Sequence, residues 1–160
     1  MKPSKSFLKS FKNIEVRYFV NILGYAGLLP FLLILFLLKT QTEQYQTFLI
    51  SSFFSYTSII LTFLGAIYWG FALTNKNVNF VRTSLILSVL PAILAWATDS
   101  LVHSLIAKTI LFLIFYNSIY ILERTQASKI KIPEFYISLR FVLNTLVSII
   151  LLVFLFIIKF

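Results

Sequence analysis

Five long runs of apolar residues, separated by short polar connections, set the pattern of the chain. Each run is close to the length of about 20 residues that a helix needs to cross the hydrocarbon core of a bilayer. The runs are continuously apolar, whereas the strands of a membrane barrel alternate in polarity, so the pattern predicts helices. We therefore expect an all-α bundle of five transmembrane helices, with spans at about residues 18–38, 47–73, 81–97, 101–122 and 141–158.

Two local features refine these spans. Only Thr98, Asp99 and Ser100 separate the third span from the fourth, which predicts a tight antiparallel hairpin. Within the first span, Pro30 cannot donate a hydrogen bond to the carbonyl of Ala26, so we expect a bend there.

The composition agrees with a membrane protein and narrows the chemistry. The chain is 59% hydrophobic and 12% charged, which lies outside the range of soluble domains. Cysteine is absent, which excludes disulfides and thiolate metal sites. One His and one Met, the initiator, exclude bis-His or His/Met haem ligation within one chain. We expect no metal and no cofactor.

The basic residues lie on alternate connections between the spans. Eleven of the fourteen Lys and Arg fall on one side: Lys2, Lys5, Lys9, Lys12, Arg17, Lys76, Arg82, Arg124, Lys129, Lys131 and Arg140. The other side has only Lys39 and Lys159, and Lys108 lies inside the fourth span. The positive-inside rule then predicts an N-terminus inside and a C-terminus outside. The net charge of +9 is explained by this topology, so we expect no nucleic-acid partner.

Residues 1–17 form a basic tail ahead of the membrane domain at 18–160. Phe7, Phe11, Ile14 and Tyr18 share one helical face, and lysines on the other side would lie over anionic lipid of the cytosolic face. We expect this tail to serve as a topology anchor, with a regulatory role as the alternative. We expect it to be retained rather than cleaved, because the first apolar run is too long for a signal peptide.

Small residues recur on single faces of the spans, as expected for close helix packing in lipid. One stripe in the second span comprises Ser51, Ser55, Ser58, Thr62, Gly65, Ala66 and Trp69. The third span carries Ser84, Ser88, Pro91 and Ala95, and the first carries Gly24 and Gly27. We expect helix packing at these stripes, with pore lining as the alternative.

Three segments carry a resemblance to a known family. They are residues 23–31 (LGYAGLLPF), residues 63–70 (FLGAIYWG) and residues 88–96 (SVLPAILAW), which include Trp69, Gly70 and Trp96. The chain resembles the transmembrane protein 69-like family over about residues 21–144. The resemblance implies a small multi-pass domain of bacterial inner membranes or mitochondria, without an established activity. Tyr68 stands where the family pattern has His, and Glu123 where it has Asp.

Few ionisable residues are candidates for chemistry. None of the five carboxylates is expected deep inside a span, so a buried acidic relay is not predicted. Lys108 is the one charge well inside a span. A helical wheel separates it from Asp99 and His103. Its amine can snorkel to the headgroups or pair inward, with a backbone carbonyl or an anionic substrate.

Asp99, Ser100, His103 and Ser104 form the one acid, hydroxyl and imidazole cluster. If the hairpin turn is helical, Asp99 and His103 are i, i+4 neighbours, as a hydrolase would need. An exposed turn with a solvated His is the alternative that we favour, and we expect no enzyme. Glu123 is expected to pair with Arg124 at the surface, although Arg140 could also reach it.

Two functions remain. The first is a structural, assembly or accessory component of the membrane, packed beside a membrane-protein partner. The second is an oligomeric permease or channel for a small solute or ion, with Gly65, Gly70 and Pro91 giving flexible helices. A bacterial inner membrane is the expected location, with the mitochondrial inner membrane as the alternative.

Overall fold

The computed structural model describes residues 5–40, 43–74, 78–130 and 134–159, and these are helical apart from two short breaks. The helices are α1 (Lys5–Ala26), α2 (Leu29–Thr40), α3 (Glu43–Thr74), α4 (Val78–Leu101), α5 (Leu105–Ile130) and α6 (Glu134–Lys159). The segments long and apolar enough to cross a membrane are Ile14–Thr40, Glu43–Gly70, Val81–Leu101, Leu105–Thr125 and Glu134–Ile158. The prediction of an all-α protein with five spans is confirmed within the described residues.

The first span consists of two helices, α1 and α2, separated by Gly27 and Leu28. Pro30 stands in the first turn of α2, where a residue without an N–H is tolerated, so the expected bend takes the form of a helix break. The Tyr56 hydroxyl on α3 donates a hydrogen bond of 2.9 Å to the Gly27 carbonyl. A single helix, α1, also runs across the predicted boundary between the tail and the span at residue 17.

The hairpin between the third and fourth spans turns later than expected. Helix α4 continues through Asp99 to Leu101, and the non-helical residues are 102–104. Ser104 ends the turn because its Oγ accepts a hydrogen bond of 3.4 Å from the Ala107 N–H, which caps the start of α5. The expected turn at Thr98–Ser100 is therefore wrong by about one helical turn.

A core of stacked aromatic rings joins α2, α3, α5 and α6. Phe53 stacks on Phe154 with ring centroids 4.2 Å apart, and Phe31 meets Phe53 edge to face at 5.6 Å. Phe54 packs between Phe112 and Phe154 at 6.1 and 5.2 Å. Such offset and edge-on contacts are the arrangements that aromatic rings prefer. They fill the space between the four helices.

Two helices flank this core. Helix α4 packs against α3 and α5, and α1 packs against α6. The α1 contact includes the Arg17 guanidinium, which lies 4.9 Å from the centroid of the Phe135 ring. We call the end of the bundle where α5 ends and α6 begins the Arg140 end, and the opposite end, where α4 ends and α5 begins, the Lys108 end.

Candidate functional site

The main polar feature of the bundle is a buried ion pair at the Arg140 end. Arg140 Nε on α6 donates to Glu123 Oε2 on α5 at 2.8 Å, and the two side chains are only 7% and 3% exposed. Because α5 and α6 are antiparallel neighbours, residues 17 positions apart come to the same level. Removing charges from solvent in this way is costly unless they are paired.

The ion pair corrects the expected partner of Glu123. Glu123 pairs with Arg140 across two helices, whereas Arg124, its expected partner, is exposed. Glu123 is buried although it lies in the last turn of the candidate span Leu105–Thr125, and so not deep inside it. The physical reason is that Glu123 points toward α6, while its neighbour Arg124 is turned by about 100° around the helix.

Several polar atoms around this pair are buried without a hydrogen-bond partner among the described residues: Glu123 Oε1, Tyr136 Oη, Arg140 Nη2 and Asn144 Oδ1. A buried polar group left unpaired costs about 1–3 kcal/mol. The set contains both donors and acceptors. The Arg140 end of the bundle therefore has an unused capacity for hydrogen bonding in a largely apolar setting.

Asparagine side chains extend the polar cluster along α5 and α6. Asn144 Nδ2 donates to Asn117 Oδ1 at 3.0 Å, and Asn117 Nδ2 lies 3.3 Å from Ser148 Oγ. Interhelical hydrogen bonds of this kind hold transmembrane helices together. Neither Asn144 nor Tyr136 was among the predicted site residues. For Asn144, the signal in the sequence was an asparagine inside an otherwise apolar run.

A groove between α1, α3 and α6 opens beside the ion pair. Its volume is about 300 Å³, and it is lined by Val20, Leu23, Gly24, Phe63, Leu64, Ile67, Tyr136, Leu139, Arg140 and Leu143. Gly24 packs closely against α6, since a Cβ at this position would lie 3.0 Å from Leu143 Cδ1. Among these residues, Arg140 and Tyr136 supply polar side chains at the otherwise apolar wall.

At the Lys108 end, a second ion pair joins α4 to α5. Lys108 Nζ donates to the Asp99 carbonyl at 2.7 Å and to Asp99 Oδ1 at 3.0 Å, and it lies 4.9 Å from the centroid of the Phe54 ring. Two roles were expected for Lys108, snorkelling to the headgroups or inward pairing. The structure shows Lys108 paired with a backbone carbonyl. The helical wheel that separated Lys108 from Asp99 was misleading, because the two residues lie on different helices.

The Asp99–His103 arrangement, which was the less favoured alternative, depends on a helical turn that the structure does not have at residues 102–104. His103 is exposed in this turn, and the Asp99 carboxylate pairs with Lys108 instead. Ser104 acts as the cap of α5. Asp99 and Ser104 therefore both contact the start of α5, Asp99 through Lys108 and Ser104 through the Ala107 N–H.

The small-residue stripe of the second span divides between two surfaces. Gly65 faces α4 so closely that an added Cβ would lie 2.7 Å from the Ser88 carbonyl and 2.9 Å from Pro91 Cγ. Ser58 also faces α4, with Oγ 3.5 Å from the Ala95 carbonyl. The other members of the stripe are exposed: Ser51, Ser55, Thr62, Ala66 and Trp69.

Two of the exposed members, Ser55 and Thr62, line a second groove, between α3 and α4, with a volume of about 340 Å³. Its walls include hydroxyl and carboxylate groups from Ser55, Ser58, Thr62, Asp99 and Ser100. Trp96 also lines this groove and is 64% exposed. Trp69 and Gly70 are exposed on α3, toward the Arg140 end.

The fold and its polar clusters define a polytopic α-helical membrane protein. Within that class, the chain belongs to the family described as protein of unknown function (DUF3429), whose sequence model matches residues 16–156. Comparison with curated proteins gives no match, and comparison with solved structures gives none either. These comparisons do not link the chain to the transmembrane protein 69-like family.

Proposed function

We propose that this protein is a structural or accessory component of its membrane, which acts by packing beside a partner protein. The observation that carries the proposal is the aromatic core. Phe31, Phe53, Phe54, Phe112 and Phe154 are all at most 1% exposed. They occupy the space between α2, α3, α5 and α6 in which a solute route through one protomer would run.

The groove between α3 and α4 is the contact surface that fits this role best. Ser55 and Thr62 present hydroxyls on a lipid-facing side of the bundle, and Asp99 and Ser100 lie at its Lys108 end. In lipid, small and hydroxyl side chains allow helices to approach closely and to bond across the contact. We infer a transmembrane helix of a partner protein as the occupant of this groove.

A permease acting as an oligomer is the second candidate. The Glu123–Arg140 pair favours it, because ionisable residues inside spans often mark solute or ion pathways. In this alternative the pathway would run between protomers, since the aromatic core fills the protomer itself. The closely packed Gly65–Pro91 contact would then act as a hinge between α3 and α4.

Other parts of the proposal come from the sequence. We propose an N-terminus inside and a C-terminus outside, anionic lipid at the basic connections, and a bacterial or mitochondrial inner membrane. The likeness to the transmembrane protein 69-like family is part of this proposal, as is the absence of an enzymatic activity. The pairing of Asp99 with Lys108 supports the latter, because it occupies the carboxylate that a hydrolytic cluster would need.

The proposal is tested by site-specific photo-crosslinking in intact membranes. A crosslinking residue at Thr62 lies in the α3–α4 groove, whereas one at Leu152, exposed on α6, serves as the matched control. We expect Thr62 to give one discrete adduct with a different membrane protein and Leu152 to give none. The same protein should also copurify with this chain in mild detergent.

The permease alternative makes the opposite prediction. The adduct at Thr62 would then join two copies of this chain, and the purified oligomer would carry K⁺ or H⁺ flux across liposomes. A homo-oligomer with flux would overturn the accessory role. Equal labelling at Thr62 and Leu152 would show that the groove has no specific occupant.

A further inference from the structure

We propose that the groove between α1, α3 and α6 binds an uncharged lipid-soluble molecule through a carbonyl oxygen, held by Arg140 and Tyr136. This inference concerns a different surface from the α3–α4 groove and stands apart from the proposed function. Its basis is the combination of an apolar groove with buried hydrogen-bond donors at one end.

Arg140 and Tyr136 place two hydrogen-bond donors beside the groove. Arg140 is only 6% exposed, yet its Nη2 has no hydrogen-bond partner among the described residues. The buried Tyr136 hydroxyl also has none among them. Both side chains line the groove. Two unused donors beside one groove fit a ligand that offers an acceptor oxygen, and a hydrogen bond to each removes the cost of leaving it unpaired.

The charge balance selects the kind of acceptor. The Glu123 carboxylate already neutralises the Arg140 guanidinium at 2.8 Å. Its second oxygen, Oε1, is buried in the same cluster. A phosphate or carboxylate headgroup would meet this negative charge at close range in a medium of low dielectric constant. A carbonyl oxygen accepts the same hydrogen bonds without that repulsion.

The apolar wall gives the orientation of the ligand. Arg140 is six residues from the start of α6 at Glu134, or about 9 Å along the helix axis. Leu143 on the same helix lies about one turn deeper. A headgroup at Arg140 with a tail along Leu143 and Gly24 therefore has the orientation of the surrounding lipids.

The ligand can enter from the bilayer. Leu23 and Phe63 line the groove and are 70% and 63% exposed, so its side is open to lipid. The volume of about 300 Å³ is at the lower end of the range for small-molecule sites. It suits a headgroup and the first part of a tail, with the rest of the tail among the lipids.

Binding of three probes to the purified full-length protein tests the proposal, by native mass spectrometry in detergent. Decylubiquinone offers ring carbonyls, dioleoylglycerol offers ester carbonyls, and dioleoylphosphatidic acid adds a negative charge to the same two tails. We expect retention of decylubiquinone or dioleoylglycerol in preference to the phosphatidic acid. Whichever of the two binds more tightly identifies the source of the carbonyl.

Two variants address the site without breaking the ion pair. Tyr136→Phe removes one donor hydroxyl, and we expect an affinity about five- to tenfold lower, as for the loss of one hydrogen bond. Leu23→Trp fills the exposed mouth of the groove and should abolish binding. Tyr45→Phe removes an exposed hydroxyl near the start of α3 and serves as the matched control, with unchanged affinity.

Three results would overturn the inference. The first is tighter binding of the phosphatidic acid than of either uncharged probe. The second is binding that Tyr136→Phe and Leu23→Trp leave unchanged while both variants melt like the wild type. The third is retention of none of the probes, which would mean that bulk lipid or water alone satisfies Arg140 and Tyr136.

Discussion

Lys108 Nζ binds both the backbone carbonyl and the carboxylate of Asp99, at 2.7 and 3.0 Å. These contacts connect the last turn of α4 to the first turn of α5 and close the hairpin at the Lys108 end. The ammonium also lies over the face of the Phe54 ring, where the ring quadrupole attracts a cation. Lys108 is thereby joined to the aromatic core.

Replacing Asp99 and replacing Lys108 should lower the free energy of unfolding by different amounts. The Lys108 side chain is 12% exposed, whereas that of Asp99 is 28% exposed. Asp99→Ala leaves a buried ammonium without its counter-ion, and we expect it to lower the free energy of unfolding by about 1–2 kcal/mol. Lys108→Met leaves a carboxylate that water can reach, so its effect should be smaller. Denaturant titration in detergent compares the two, and equal losses would contradict the argument.

Breaking the buried Glu123–Arg140 pair should lower the free energy of unfolding more than breaking the Lys108–Asp99 pair. Glu123→Leu or Arg140→Met alone leaves one charge uncompensated in the bundle, which we expect to cost roughly 3–5 kcal/mol of unfolding free energy. The double variant Glu123→Leu with Arg140→Met removes both charges and should be more stable than either single variant. Arg124→Ala, at the exposed neighbour, is the control and should change stability by less than about 0.5 kcal/mol. Additive losses in the double variant would refute the pairing.

Gly65 and Gly70 form a matched pair for the contact between α3 and α4. An alanine Cβ at Gly65 would lie 2.7 Å from the Ser88 carbonyl, whereas at Gly70 it meets nothing within 4 Å. Because a backbone atom cannot move aside cheaply, we expect Gly65→Ala to cost about 1–3 kcal/mol. Gly70→Ala should leave the melting temperature unchanged or slightly higher, since alanine favours helix over glycine. A neutral Gly65→Ala would show that α4 is free to shift away from α3.

The orientation in the membrane can be measured with single cysteines, because the natural chain has none. Ser128→Cys lies on a connection predicted to be inside, and Ser100→Cys lies at the opposite end of the bundle. In intact cells, a membrane-impermeant maleimide should label Cys at position 100 and not at position 128. Inverted vesicles should give the reverse pattern. Labelling at position 128 in intact cells would mean that the positive-inside rule was misapplied to this chain.

The position of the helix ends and the pairing of polar residues were predicted less well than the spans themselves. The hairpin turn was expected at Thr98–Ser100, but the Ser104 cap and the Lys108 contact hold α4 in helical form to Leu101. A wheel drawn for one helix also separated Lys108 from Asp99. The first error concerns a cap that fixes where α5 begins, and the second arose because Lys108 and Asp99 lie on different helices.

The candidate site at the Arg140 end was predictable only in part. Arg140 was recognised as a partner within reach of Glu123, because antiparallel neighbours bring their adjoining ends together. The burial of this pair was missed, and so were Tyr136 and Asn144 beside it. Burial depends on how the two helices rotate about their own axes, and a continuously apolar run constrains that rotation weakly.

The sequence alone determined the class of protein, the helical nature of the spans and their number. The reason is that a bilayer demands long apolar segments with internally satisfied backbones, and residue order records such segments directly. The tertiary structure decided which side chains meet: Glu123 with Arg140, Asp99 with Lys108, and Gly65 with α4. In lipid, hydrophobicity does not distinguish one face of an apolar helix from another, so close packing and a few polar contacts fix the arrangement.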